Sequence, residues 1–354
     1  MKCAYRVKRD GTIEGVRLVA SLLVVSLGAV AAAQTGTPRT PRDLLRDIAQ
    51  ITDAEWTGIE RGEAVAKVLD ADNREIAVAG AVRIAAPLDR LLERYRDIES
   101  LKRSSIVLDV GRFAQPAEAA DLARAPFEDY NLDLRDCRPS DCRVRLSDSD
   151  IARFHREVNW QTPDWKQRSA ATWREVLAGL VVRYQQSGRD GLPTFANKQI
   201  PVNVASELAG LVDEAGFVGA YSPTVLTYLR DLRPPGPPGT EHVIYWSKED
   251  FGIRPVLRIS HQIIQRIGSA SLLVATNQLY ADHYLDAALT ITLAIEAPRA
   301  NERQSFYLVA VSRARTRSLT GLLRTLVRST VQSRSREALR KILTATKNGL
   351  ERPV

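Results

Sequence analysis

Four histidines, His155, His242, His261 and His283, carry the proton-transfer capacity near neutral pH in this 354-residue chain. Read as alternating strands, His261 shares an apolar face with Leu257, Ile259 and Ile263, and His283 shares one with Leu285 and Leu289. Two imidazoles turned into an apolar interior can orient a ligand's hydroxyl or carboxylate, or act as acid and base. The plainer account is a core histidine satisfied by a backbone carbonyl or a tyrosine. For His283, in Tyr280-Ala-Asp-His-Tyr-Leu-Asp286, it is a hydrogen-bonded strand entrance. Tyr245 and Trp246 can stack on a ligand or simply fill core. Other chemistry is thin. Gly188-Arg-Asp-Gly191 reads as a turn, Asp148, Asp150 and Glu157 belong to a helix start and its exposed face, and the serines lack a nucleophile-elbow context. Nothing in the sequence requires an enzyme, and no cofactor or metal is expected.

The elements that must position these residues fall in two blocks. Residues 64–70 and 75–85 alternate around the turn Asp70-Ala-Asp-Asn73, a hairpin signal. Pro87 then opens a helix on which Leu88, Leu91, Leu92, Tyr95 and Ile98 recur at helical spacing, and 107–113 returns to strand. The second block reads as strands at 242–246, 255–267, 272–279, 283–295 and 305–313, broken at Gly252, Gly268 and 298–301, and it runs into a closing helix over 319–350. That order predicts an α+β fold in which a curved antiparallel sheet wraps around a long C-terminal helix and encloses a cavity. On 283–295 one face carries His283, Leu285, Ala287, Leu289, Ile291, Leu293 and Ile295. The helix stripe of Leu319, Leu322, Leu323, Leu326, Leu339, Ile342 and Leu343 is expected to cover it. Between the blocks, 114–240 predicts a helical insertion, with helices at 147–158, 163–186, 204–215 and 223–229 and an end at Arg233-Pro-Pro-Gly-Pro-Pro-Gly239.

The N-terminus reads as an address. Lys2, Arg6, Lys8, Arg9 and Arg17 precede an apolar run over 18–30, and Ala31-Ala32-Ala33 supplies the small-residue site of a secretory signal. A retained anchor is the competing reading, but the run is shorter than the roughly 20 apolar residues of a bilayer span. Cleavage near Ala33 would deliver the protein to a bacterial periplasm or the exterior. Residues 34–62 then form a linker and a short helix around 41–50, and 63–354 the main domain. Cys137 and Cys142, with four residues between them, suit a small disulfide loop in an oxidising compartment; a redox pair or half a metal site are the alternatives. The formal charge is +8, or +5 for residues 34–354. Much of it lies in Arg313, Arg315, Arg317, Arg324, Arg328, Arg334, Arg336, Arg340 and Lys341, opposed there by Glu337. This stretch reads as the solvated face of the closing helix, with contact to an anionic membrane surface as the sharper alternative. No nucleic-acid partner is expected.

The run Ile76-Ala-Val-Ala-Gly-Ala-Val-Arg-Ile-Ala-Ala-Pro-Leu-Asp-Arg-Leu-Leu-Glu-Arg-Tyr-Arg-Asp97 resembles the strand, "ala-pro" and helix opening of the START-related, helix-grip superfamily of lipid-transfer proteins and polyketide cyclases. Tyr307-Leu-Val-Ala-Val-Ser-Arg313, followed by a long helix, is similar to that superfamily's last strand and lid-like helix. The resemblance covers about half of the chain beyond Ala33, and the insertion with its cysteine pair departs from the compact pattern. It implies a hydrophobic cavity between sheet and helix, without metal or nucleotide.

The function expected is an exported binder of a lipid or other hydrophobic small molecule. His261, His283, Tyr245, Trp246, Leu285, Leu289, Leu322 and Leu326 are the expected ligand contacts. Two alternatives are a cyclase- or hydrolase-type enzyme using the same cavity and a cell-envelope scaffold whose core is filled by its own side chains.

Overall fold

A computed structural model describes residues 40–103, 106–127, 131–250, 254–297, 304–317 and 324–352. The expected signal over 1–33 lies outside them. The described residues fall in one compact unit, Arg39–Val354. Among them, no helix is long and apolar enough to cross a membrane.

Two helices come first. In α1 (Pro41–Ala49) Thr40 Oγ1 accepts the Asp43 N–H and proline occupies the first turn. In α2 (Asp53–Glu60), a second helix within the expected linker and short-helix stretch of 34–62, Thr52 and Glu55 form a reciprocal capping box. The hairpin β1 (Val65–Leu69) and β2 (Glu75–Ile84) follows. Next comes α3 (Leu88–Arg96), which stops at Asp97; that carboxylate caps the short α4 (Ile98–Lys102). Strand β3 (Val107–Arg112) ends the first block. The excursion holds α5 (Asn131–Asp136), α6 (Asp148–Glu157), the 23-residue α7 (Trp165–Ser187), the small hairpin β4 (Thr194–Phe195) and β5 (Val202–Asn203), α8 (Val204–Asp213) and α9 (Pro223–Asp231). The second block is β6 (Thr240–Glu249), β7 (Val256–Ile267), β8 (Ser271–Ala281), β9 (Ala287–Glu296), β10 (Phe306–Arg315) and the closing helix α10 (Arg324–Glu351).

Eight strands pair antiparallel in the order β1-β2-β10-β9-β8-β7-β6-β3. This order, with the long final helix, is compatible with a helix-grip fold. The expected disulfide is present: Cys137 and Cys142 are bonded, with Cα atoms 4.4 Å apart.

Both faces of the sheet are covered, and the two covers reverse an expectation. The helix α10 packs on β1 and β2, where Leu339, Leu343 and Leu350 join Val78, Val82, Ile84, Phe306 and Leu308, together with Leu88, Leu91 and Leu92 of α3. Gly80 permits this approach, since a Cβ there would lie 2.6 Å from the Val65 carbonyl and 2.8 Å from Leu343 Cδ1. Leu289, Ile291 and Leu293, expected under the closing helix, face the other way. They join the larger cluster with Leu208 and Leu211 of α8 and with Trp173, Leu177 and Val181 of α7. Ile342, expected on the buried stripe, is 59% exposed. Leu319, Leu322 and Leu323 lie outside the described residues.

Candidate functional site

The sequence-predicted contacts do not converge. His261, Trp246 and Leu289 lie on the insertion side of the sheet, and Tyr245 lies on the helix side with Ile98 and Val110. The residues 282–286 form the β8–β9 turn rather than strand, so His283 and Leu285 do not continue the Leu289 face. Leu322 lies outside the described residues and Leu326 falls in the first turn of α10.

On the helix side the central rows are built of small and polar side chains. Register aligns Gly80, Ala310, Thr292, Val274 and Ile264 across the sheet, and beside them Val78, Ser312, Thr290, Thr276 and Gln262. Thr290 donates to Ser312 Oγ at 3.1 Å, and Gln262 Nε2 donates to the Tyr95 carbonyl at 2.9 Å. Further toward β6, Glu249 accepts from Ser247 Oγ (2.8 Å), Lys102 Nζ (3.0 Å) and Arg258 Nη1 (3.0 Å), and Arg258 Nε donates to Gln278 Oε1 (3.1 Å). Burial opposes ionisation of Glu249, but the two cations and the Ser247 hydroxyl outweigh it and hold the carboxyl well below its usual range. The helix side thus grades from apolar under α10 to polar and net cationic near α4.

These residues escaped the sequence reading for one reason. Arg258, Ser260 and Gln262 alternate with Leu257, Ile259, His261 and Ile263 on β7, and a polar alternate face reads as solvent when nothing shows what lies over it.

On the insertion side His261 belongs to a hydrogen-bond chain that the sequence reading did not join to His242. The two are diagonal neighbours, because His261 pairs with Ile244 and His242 with Ile263 on adjacent strands. The ring centroids are 5.1 Å apart and nearly parallel, and Tyr228 of α9 stands edge-on to both. Thr240 Oγ1 donates to the Pro237 carbonyl (2.5 Å), so its oxygen accepts from His242 Nε2–H (2.7 Å). His242 Nδ1 then accepts from His261 Nε2–H (2.9 Å), and His261 Nδ1 accepts from the Tyr184 hydroxyl (2.7 Å). Every member has one defined role, and both imidazoles are neutral Nε2–H tautomers, assigned from their partners. Burial and the neighbouring His242 hold His261 down at about 3; burial also lowers His242 and raises Tyr184.

A third polar group gathers at the end of the sheet. Asp282, fully buried, accepts the Leu257 N–H at 3.0 Å and lies 4.0 Å from Lys248 Nζ and 3.0 Å from His283 Nδ1. Arg145 donates to buried Asp286 at 2.6 Å, and Glu75 receives Arg313 (2.5 Å) and Arg315 (3.2 Å). Tyr284 within the turn has φ +58°, and its carbonyl accepts from Thr316. His283 thus sits in an ion-paired strand entrance. His155, on α6, bonds the Cys137 carbonyl at 2.7 Å.

No protein-family model matches the chain, and none of the curated proteins does.

Proposed function

We propose that the protein is an exported, START-related binder of an amphipathic or hydrophobic small molecule, a lipid by preference, held between the helix side of the sheet and α10. One observation carries this reading: the unequal filling of the two faces of the same strands. Toward the insertion, β8, β9 and β10 present Leu273, Leu289, Ile291, Leu293, Val309 and Val311, and Ala77, Ala79 and Ala81 of β2 are wholly inaccessible at 0%. Toward the helix β8, β9 and β10 present Leu272, Val274, Ala294, Phe306 and Leu308 at one end, but buried Ala310 and Thr292 and half-buried Thr276, Thr290 and Ser312 beyond them. Because α10 packs chiefly on β1 and β2, the half-buried Thr276, Thr290 and Ser312 lie beside that helix on the same face, where a small molecule could lodge against it. The apolar end of that face, near Leu308 and Leu343, suits a hydrocarbon part, and the Arg258–Gln278 end suits a polar one.

Export is supported by the Cys137–Cys142 disulfide, which persists in oxidising compartments. The enzyme alternative is less favoured, because of its two candidates His261 turns away from this face with both ring nitrogens engaged, and His283 lies in the β8–β9 turn beside Asp282.

The test is native mass spectrometry of the protein purified from its compartment, followed by organic extraction, on the wild type and on Thr292→Trp and Ala310→Trp. A stoichiometric amphiphile in the wild type that both variants lose, with thermal midpoints kept within a few degrees, supports the reading. A wild type that is empty and takes up nothing from a lipid mixture sinks it in favour of a filled scaffold.

A further inference from the structure

We propose that Tyr184, His261, His242 and Thr240 form a proton-operated latch, which fastens the link over residues 233–239 to the sheet at neutral pH and releases it in acid. The link is where the helical insertion returns to β6, so the latch governs how firmly α9 and the link are held there.

The chain runs one way. Tyr184 donates to His261, His261 to His242, His242 to Thr240 and Thr240 to the Pro237 carbonyl of the link. Close fit adds to it, because a Cβ on Gly236 would lie 2.1 Å from His242 Nε2, so the link lies directly on the imidazole. The two ends differ in access. Tyr184 and His261 are each 3% exposed, whereas His242 lies at the surface.

Protonation therefore begins at His242. A proton from solvent forms a new N–H bond at Nδ1, the atom that accepts from His261 Nε2–H. Two N–H groups then oppose each other across 2.9 Å, and the imidazolium repels the His261 donor. His261 can turn acceptor at Nε2 only by carrying its proton on Nδ1, which makes the Tyr184 oxygen the acceptor and takes from the buried Tyr184 O–H the acceptor it has in this structure. The surface ring yields instead: His242 swings to solvent, and the link loses the imidazole on which Gly236 lies, so that the Thr240–Pro237 bonds alone hold it to the sheet. Burial, with the neighbouring His242, holds the deeper His261 down at about 3, and burial also lowers His242, the ring nearer the surface.

Among the described residues, the elements that face the two rings supply no charge that would cancel this effect. From α7 comes Tyr184 and from α9 Tyr228, both neutral in this range. On β8, Asn277 lies opposite His261, is fully buried and has neither amide atom hydrogen-bonded. The neighbouring charges are paired elsewhere, Arg233 with Asp190 and Glu241 with Arg96.

Two measurements on the purified full chain decide it. Imidazole nitrogen NMR at pH 8 is expected to show His242 and His261 both protonated at Nε2. Hydrogen exchange, corrected for intrinsic rate, is expected to show protection of the Thr240 amide, which bonds the Pro237 carbonyl, falling on the order of tenfold from pH 7.5 to 5. In His242→Phe the protection should be flat with pH. An Nδ1–H tautomer at either ring at pH 8, or the same pH profile in wild type and His242→Phe, overturns the latch. The tautomer readout needs no variant, so it stands even if His242→Phe fails to fold.

Discussion

Tyr184 and His261 show how a buried polar pair restricts what a residue can do. Deleting the hydroxyl in Tyr184→Phe strips His261 Nδ1 of its donor in a dry setting, and should cost about 1–3 kcal/mol in urea unfolding. The imidazole also sets a pH dependence. His261 sits at about 3 in the fold against roughly 6.5 in the unfolded chain, so the unfolded state binds more protons between those values. Its contribution is complete above about pH 6.5 and is lost as pH falls toward 3. Between pH 7 and 5 the loss should approach about 2 kcal/mol, seen as a lower urea midpoint, and His261→Phe should lack that slope. The sequence allowed part of this to be read. Alternation on β7 places His261 inward, and a tyrosine partner is one of the plain readings of a core histidine. Which tyrosine, and that His242 joins, depends on strand register and on where α7 lies, and neither leaves a local pattern. The Arg258–Glu249–Lys102 group was hidden for the same reason: its members come from β7, the end of β6 and α4.

Elements were more legible than their packing. Helices α6, α7, α8 and α9 begin within about two residues of their expected starts, because Ser147, Asn203 and Ser222 cap three of them and α7 has a long apolar period. The hairpin β1–β2 follows from its turn. Strand β9 starts at Ala287, four residues later than the alternation suggests, since the ion pairs of Asp282 and Asp286 hold the preceding stretch in a turn. The cover of each face was the larger miss. Alternation identifies an apolar face but not its partner, and here both faces are covered, with the bulkier side chains under the insertion. A pair of substitutions checks the side of α10 that packs. Leu343→Ala should cost about 2–5 kcal/mol, while adjacent Ile342→Ala, at an exposed position, should stay within about 0.5 kcal/mol, both read from chemical denaturation. The reverse ranking would mean that α10 turns its other face to the sheet.

At the scale of the whole molecule, the sheet joins two blocks of sequence and the insertion is stapled within itself. The Cys137–Cys142 loop spans five residues of separation, for which loop-closure entropy gives about 2 kcal/mol. The Cys137→Ala/Cys142→Ala double variant should lose stability of that order while keeping the eight-stranded sheet, as judged by urea unfolding and circular dichroism. One consequence of the strand order concerns the path by which the chain acquires its shape. Strands β6 to β10 are successive neighbours and can zip from local contacts, but β3 meets β6 only after residues 113–239 have been made and gathered, as Arg112 finds Tyr245. Closing so long a loop adds little to the equilibrium cost, because that entropy grows only with the logarithm of length, yet it raises contact order and delays the step. Pulse-labelled refolding should therefore find the amides of β3 among the last in the sheet to be protected, behind a meander that already exists. Until then β6 is an open edge, ready to pair with another chain, so the insertion that the mature fold accommodates so fully leaves its mark as a period of vulnerability to self-association during folding.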